Sequence, residues 1–331
     1  MTYRLLSFAC LVAGMVLQPL SAHAQKTLLV AEPTHGVGYL PLYVAIRNGY
    51  FSKLGLDVKV MTVDGGSTHT NAVLTGQAFA FIGGPEHNAY AKLKGGELRA
   101  VVNVVDRGNV YLTARTGSEL KPGQKLPDYF KGKSFAVGLY GGTPNSITRY
   151  LLKQWGLDAR NDVTLIEMTT SAVLAAVKSG RAQVGVTSEP LLTQGIKQGL
   201  WGEPIVNIPK QLGPYAYSTL NVRLDSIKKE PELVEKFVRG VVQGIKFTYA
   251  DPEGAAAIAK KEFPTMAVDD LKATLDRTFA DGLWSRDGSI STAAWNTGES
   301  VVLAAGILKK PVPYGDIIDM QFVRAVNAAS N

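Results

Sequence analysis

Two stretches of the chain, AVLTGQAFAFIGGPE from Ala72 and AVKSGRAQVGVTSEP from Ala176, share Ala-Val, Gly and Ala at a constant offset. Each runs from the end of a helical pattern through a glycine into a short apolar strand and a polar tip. KTLLVAE, LDVKVMTV, AFAFIG and LRAVVNVV read as strands, separated by helices in YLPLYVAIRNGYF, from about Thr68 to Thr75 and from Pro85 to Lys94. KSFAVGL, VTLIEM and AQVGVT repeat that order, with helices in NSITRYLLKQWG, SAVLAAVKSG and EPLLTQGIKQG. Such alternation is what mostly parallel sheets require, because parallel neighbours need a crossover rather than a tight turn. An order that starts twice predicts an α/β fold of two lobes, each a mostly parallel sheet flanked by helices.

From about Leu224 the pattern turns helical, in PELVEKFVRGVVQGIKFTYA, PEGAAAIAKKEF, VDDLKATLDRTFA, STAAWNTGESVVLAAG and IIDMQFVRAVNAA. Their apolar residues recur near helical spacing, which predicts packing onto a sheet. NVYLTAR and YSTLNVR, about 109–115 and 217–223, read as the two hinge crossings. The expected division is 25–111 with 220–331 in one lobe and 112–219 in the other.

At the N-terminus, Arg4, an apolar run from Leu5 to Leu17 and the small residues Ala22 and Ala24 read as a secretory signal peptide, residues 1–24, cleaved after Ala24. The run is too short to span a membrane. Cleavage removes Cys10, the single cysteine, and with it any disulfide or thiolate metal site. The formal net charge is +7, with Lys and Arg spread along the chain rather than clustered. That distribution suits solubility and a mild bias toward anions, and no nucleic-acid partner is expected.

Ligands of open α/β sheets bind beyond the carboxyl ends of the strands. Here those ends carry EPTHGVG, GGSTHT, GGPEH, YGGTPNS, TTS and TSEP. Glycines permit close backbone approach, hydroxyls donate hydrogen bonds, and helix starts favour anions. Candidate binding residues on these tips are His35, Gly38, Tyr39, Gly66, Ser67, Thr68, Gly84, Glu86, His87, Gly142, Thr143, Asn145, Ser146, Ser171, Ser188 and Glu189. Tyr39, Tyr140, Tyr215 and Tyr217 could stack on a ring. His35, His69 and His87 could in principle form a three-histidine zinc site, but their wide spacing and the lack of a His-rich loop favour single hydrogen-bonding roles, and no metal is expected. Glu86 and Glu189 could form an acid–base pair, but a carboxylate at a helix start is ordinarily a dipole contact. HGVGYLP opens like a dinucleotide fingerprint, and Pro41 in the third glycine's place breaks the match. No Gly-x-Ser-x-Gly, Walker loop or His-Glu-x-x-His occurs.

YLPLYVAIRNGYFSKLGLDVKVMTVDGGS, followed by AVLTGQAFAFIGG, resembles the opening of nitrate-, sulfonate- and taurine-type periplasmic binding proteins of ABC importers. FKGKSFAVGLYGGTPNSITRYLLKQWGL and AAVKSGRAQVGVTSEP resemble that family's second lobe. The resemblance implies a periplasmic type II solute-binding protein, without enzymatic activity or cofactor. It implies a monomer that closes on a small-molecule ligand and delivers it to a permease with its ATPase. A small organic anion of the sulfonate, nitrate or carboxylate class is the first expected ligand, and a pyrimidine of the thiamine-precursor type or another heteroaromatic compound the alternative. His87 with NAYAKLKGG is also similar to the site of a related cytosolic enzyme family that makes the thiamine pyrimidine by consuming its own histidine. That family's Cys-rich motif is absent.

Overall fold

A computed structural model describes residues 25–63 and 67–329. The expected signal peptide and Gly66 lie outside the described residues. Among the described residues, ten strands make two five-stranded sheets: β1 (Lys26–Glu32), β2 (Leu56–Thr62), β3 (Ala80–Gly83), β4 (Leu98–Val105), β5 (Tyr111–Ala114), β6 (Ser134–Gly138), β7 (Thr164–Met168), β8 (Val184–Thr187), β9 (Val206–Asn207) and β10 (Ser218–Arg223). The first sheet has the order β2-β1-β3-β10-β4 and the second β7-β6-β8-β5-β9. In each, four strands point the same way and one is reversed: β10 is antiparallel to β3 and β4, and β5 to β8 and β9. The two-lobed α/β architecture is therefore present, with the same strand plan in both halves.

The segments read as hinge crossings are mostly strand. Tyr111 pairs with Thr187 and Thr219 with Gly83, so 111–114 belongs to the second sheet and 218–223 to the first. Both are buried throughout most of their length, and their apolar alternation serves a sheet interior rather than a tether. The chain passes between the sheets at 106–110 and again at 213–217.

The C-terminal helices complete the core of the first lobe. Phe237, Val238 and Val241 of helix Pro231–Ala250 join Val30, Leu40, Val101 and Trp284 there. The last expected helix begins later than its apolar pattern suggests, at Gln321–Ala328. Ile317 and Ile318 instead run alongside β4, with Ala100 donating its N–H to the Ile317 carbonyl at 2.8 Å. Sequence patterning also missed the short helices Leu126–Phe130, Ile208–Leu212 and Leu224–Lys229. No helix among the described residues is long and apolar enough to cross a membrane.

Two features fix the loop between β1 and helix Leu40–Arg47. The helix has Pro41 in its first turn, where a missing N–H costs nothing, and lies close against helix Pro231–Ala250. The approach is made at Gly244, where a Cβ would stand 2.2 Å from the Pro41 carbonyl oxygen. Beneath the loop, the buried Glu32 carboxylate accepts hydrogen bonds from Tyr43 Oη at 2.6 Å and Thr62 Oγ1 at 2.9 Å. His35 Nδ1 lies 2.9 Å from the same carboxylate. The pKa of His35 is raised, first by its bond to Glu32 and then by the charges of Glu32 and Glu262, against an opposing effect of burial.

Gly244→Ala gains about 1 kcal/mol of helix propensity but places a methyl against a carbonyl, an overpacking cost of about 1–3 kcal/mol or more. A net loss of stability in chemical denaturation is expected, and a gain would show that the two helices can part freely. The raised pKa of His35 adds stability that is fully present below about pH 6.5 and is lost as pH rises through the folded value. The melting temperature should therefore fall more between about pH 6 and pH 8 in the wild type than in His35→Gln, measured by calorimetry on both.

Candidate functional site

The carboxyl ends of β1 and β3 meet those of β6 and β8 across a cleft. Thr34, Tyr39, His69, Gly84 and His87 line it from the first lobe, and Leu139, Gly142, Thr143, Met168, Thr169, Thr170, Ser171 and Ser188 from the second. Tyr217 and Ser218 close its base where the chain crosses. The space between these walls is partly open to solvent. The cleft continues past Thr34, Tyr39, Ser171 and Ser188 toward His35, Gly38, Asn109 and Glu189. Among the described residues, neither part is lined by Lys or Arg.

The first-lobe wall holds polar atoms with no protein partner. His69 is 2% exposed and neither ring nitrogen is hydrogen-bonded. Its ring meets those of Phe81 and His87 edge to face, at centroid distances of 4.9 and 4.8 Å. Burial, with a smaller effect from His87, holds the His69 pKa well below its ordinary value, so the ring is neutral at pH 7. His87 Nδ1 lies 3.0 Å from the Gly84 carbonyl oxygen, which makes it the donor; Nε2, also unpartnered, is an acceptor in the neutral ring. Burial likewise raises the Tyr39 pKa, against a lesser lowering from Ser218, and keeps its hydroxyl a donor. Among the described residues, no group of three or more His, Cys, Asp or Glu is placed to hold a metal ion.

The second-lobe wall is built on a helix start. Gly141 has φ of 85°, which only glycine adopts without strain, and turns the chain out of β6. Gly142, extended at φ −78° and ψ 153°, precedes helix Thr143–Gln154, which has no side-chain cap bond. A Cβ on Gly142 would stand 3.1 Å from the Leu139 carbonyl oxygen, so the second glycine has a backbone reason as well as an open face toward the cleft. Thr143 Oγ1 donates to Glu86 Oε1 at 2.6 Å across the gap between the lobes.

Of the residues singled out from sequence, Tyr39, Gly84, His87, Gly142, Thr143, Ser171, Ser188 and Tyr217 line the cleft, with His35, Gly38 and Glu189 at its far part. Others are held elsewhere. Glu86 lies beneath the wall, its carboxylate curled over Gly84, where a Cβ would stand 2.1 Å from Oε2. The Asn145 amide is consumed by the Gly138 carbonyl and Glu167, and its carbonyl by Arg149. The Ser146 hydroxyl donates back to the Gly142 carbonyl. Tyr140 is 54% exposed, turned outward under Arg149, and Tyr215 is buried near the crossing against Gly298. Ser67 and Thr68 start their helix on the exposed surface. The charge of Glu189 is partly met by Arg277 Nε at 3.0 Å and by Thr193, yet burial pushes its carboxyl up to about 7.

Thr34, Thr169 and Thr170 were passed over although they sit on the same tips. Ser218 had no such signal: β10 runs backwards, so its beginning rather than its end reaches the cleft.

A model of the family described as NMT1/THI5 like matches residues 37–255. YtlA of Bacillus subtilis (strain 168) is 27% identical, over 98% of this chain and 98% of its own. The riboflavin-binding protein RibY of Chloroflexus aurantiacus is 25% identical over 90% of this chain and 86% of its own. Among solved structures, the alkanesulfonate-binding protein SsuA of Xanthomonas axonopodis pv. citri, bound to MOPS, superposes with a TM-score of 0.72 at 16% identity, covering 89% of this chain and 98% of its own. The matched span reaches from the turn that carries Tyr39 through β2 to β10 and into helix Pro252–Glu262, and on it the chain belongs to the NMT1/THI5-like family.

Proposed function

We propose that this protein is the solute-binding component of an ABC-type importer, exported to the periplasm, which captures one small organic molecule between its lobes and hands it to a permease. The carrying observation is a single cleft walled by the strand ends of both sheets. Such a site binds most tightly when the lobes close on the ligand, and closure is the signal a permease can read. The hydroxyls and imidazoles lining the cleft form no nucleophile, base and oxyanion set, so binding without turnover is the reading they support.

Within that role the two walls ask for different chemistry. The Gly142 helix start and the hydroxyls of Thr169, Thr170, Ser171 and Ser188 suit an accepting or anionic head group. The neutral His69 and the His87 Nε2 offer lone pairs, which suit N–H donors on a ring. A heteroaromatic compound with N–H groups and an accepting substituent satisfies both walls, whereas bare nitrate leaves the histidine nitrogens without partners. An aliphatic sulfonate is the second reading, favoured by the helix start and by the likeness to SsuA.

Protein stripped of carried-over ligand should bind an aminopyrimidine or riboflavin saturably, more tightly than MOPS or nitrate, in isothermal titration. Mass spectrometry should recover the compound unchanged. Chemical conversion, or no saturable binding of any of the four, would overturn the proposal. His69→Leu removes two unpartnered buried nitrogens at similar volume, so the ligand-free melting temperature should hold or rise. The same change should weaken N–H-bearing ligands about tenfold, one hydrogen bond's worth, and leave MOPS unaffected. Equal losses for both ligand types would place the ring elsewhere.

A further inference from the structure

Beside the cleft, the second lobe's helix Leu191–Lys197 lies along the first lobe's helix Val268–Ala280. The latter keeps Leu271 and Leu275 in its own core, so what it turns to the other lobe is polar. Glu189, Thr193 and Lys197 recur one turn apart on one side, and Asp270, Thr274 and Arg277 on the other. Lys197 Nζ stands 4.0 Å from Asp270, and Thr274 Oγ1 donates to Glu189 at 3.4 Å. Arg277 reaches farthest. Its Nη1 and Nη2 grip both oxygens of Glu203 at 2.7 and 2.9 Å, and its Nε lies 3.0 Å from the buried Glu189. Past the end of the same helix, Asp281 accepts from Tyr111 Oη at 2.8 Å, next to the first crossing.

We infer that these two helices form a polar closure zipper, in which Arg277 holds the lobes together and sets ligand affinity without lining the cleft. The physical reason for a polar seam is reversibility. An apolar seam of this length would expose its area to water on every opening, whereas ion pairs exchange their partners for hydration at small net cost. The forked pair to Glu203 supplies direction that a lysine's point charge lacks. Coupling to the site runs through the chain itself, since Glu189 adjoins Ser188 of the cleft wall.

The inference rests on the binding-cleft reading for its effect on affinity but not for its effect on geometry. Spin labels at Thr68→Cys and Tyr140→Cys, on the exposed cleft ends of the two lobes, report the interlobe distance in the ligand-free protein. Arg277→Gln should shift the distance distribution to longer values, Arg277→Lys should shift it less, and 0.5 M NaCl should move the wild type in the same direction. Riboflavin, where it binds the wild type, should bind Arg277→Gln about tenfold more weakly. An unchanged distribution in a folded Arg277→Gln overturns the zipper. If that variant does not fold, Glu203→Gln, whose side chain is 68% exposed, carries the same test. A shifted distribution with no ligand bound by the wild type keeps the zipper and removes the transport reading instead.

Discussion

A buried carboxylate must be given donors, and in this protein each lobe supplies some of the other's. Glu86 of the first lobe accepts from Thr143 of the second, and Asp281 accepts from Tyr111 and Asn207. In the opposite sense Glu189 of the second lobe faces Thr274 and Arg277 of the first. Leaving any of these carboxyl groups ionised and without partners in a low-dielectric interior would cost several kcal/mol. These bonds tie the two lobes to each other, while Glu86 Oε2 keeps no hydrogen-bond partner. Because each partner is an ion, a hydroxyl or an amide that water can replace, the arrangement is specific without being permanent.

The cleft wall breaks the same rule. His69 and His87 keep ring nitrogens unpaired in a buried setting, and the first lobe carries the cost. The surrounding packing holds them there: Phe81 on one side and the close approach of Gly83, where a Cβ would stand 2.8 Å from His69 Nε2. A site that satisfied itself would have nothing left to offer a ligand.

Much of this was legible in the sequence because it rests on local signals. Strand tips announced themselves as glycine and hydroxyl clusters after apolar runs, and that reasoning reached Gly84, His87, Gly142, Thr143 and Ser188. It failed where the deciding contact is distant in sequence. Asn145 and Ser146 look the same as Thr143 in a motif, yet one is consumed by Gly138 and Glu167 and the other by its own helix. Glu86 reads as a helix-start carboxylate, and only the fold shows that its partner is Thr143. The crossings were misplaced because the reversed strands β5 and β10 have the composition of any buried strand. Strand direction is set by tertiary pairing and leaves no mark in the residues themselves.

Those two reversed strands also dictate an order of assembly. Until residues 218–223 are available, β3 and β4 each present an unpaired edge to solvent in the middle of what will be the first sheet. More than half of the chain must therefore be synthesised before either half of that sheet has its neighbour. The first lobe is closed by long-range pairing rather than built as an independent N-terminal domain, while the second sheet is drawn from one continuous stretch, β5 to β9. A chain released before β10 would carry exposed pairing edges, the surface through which partly made sheets aggregate.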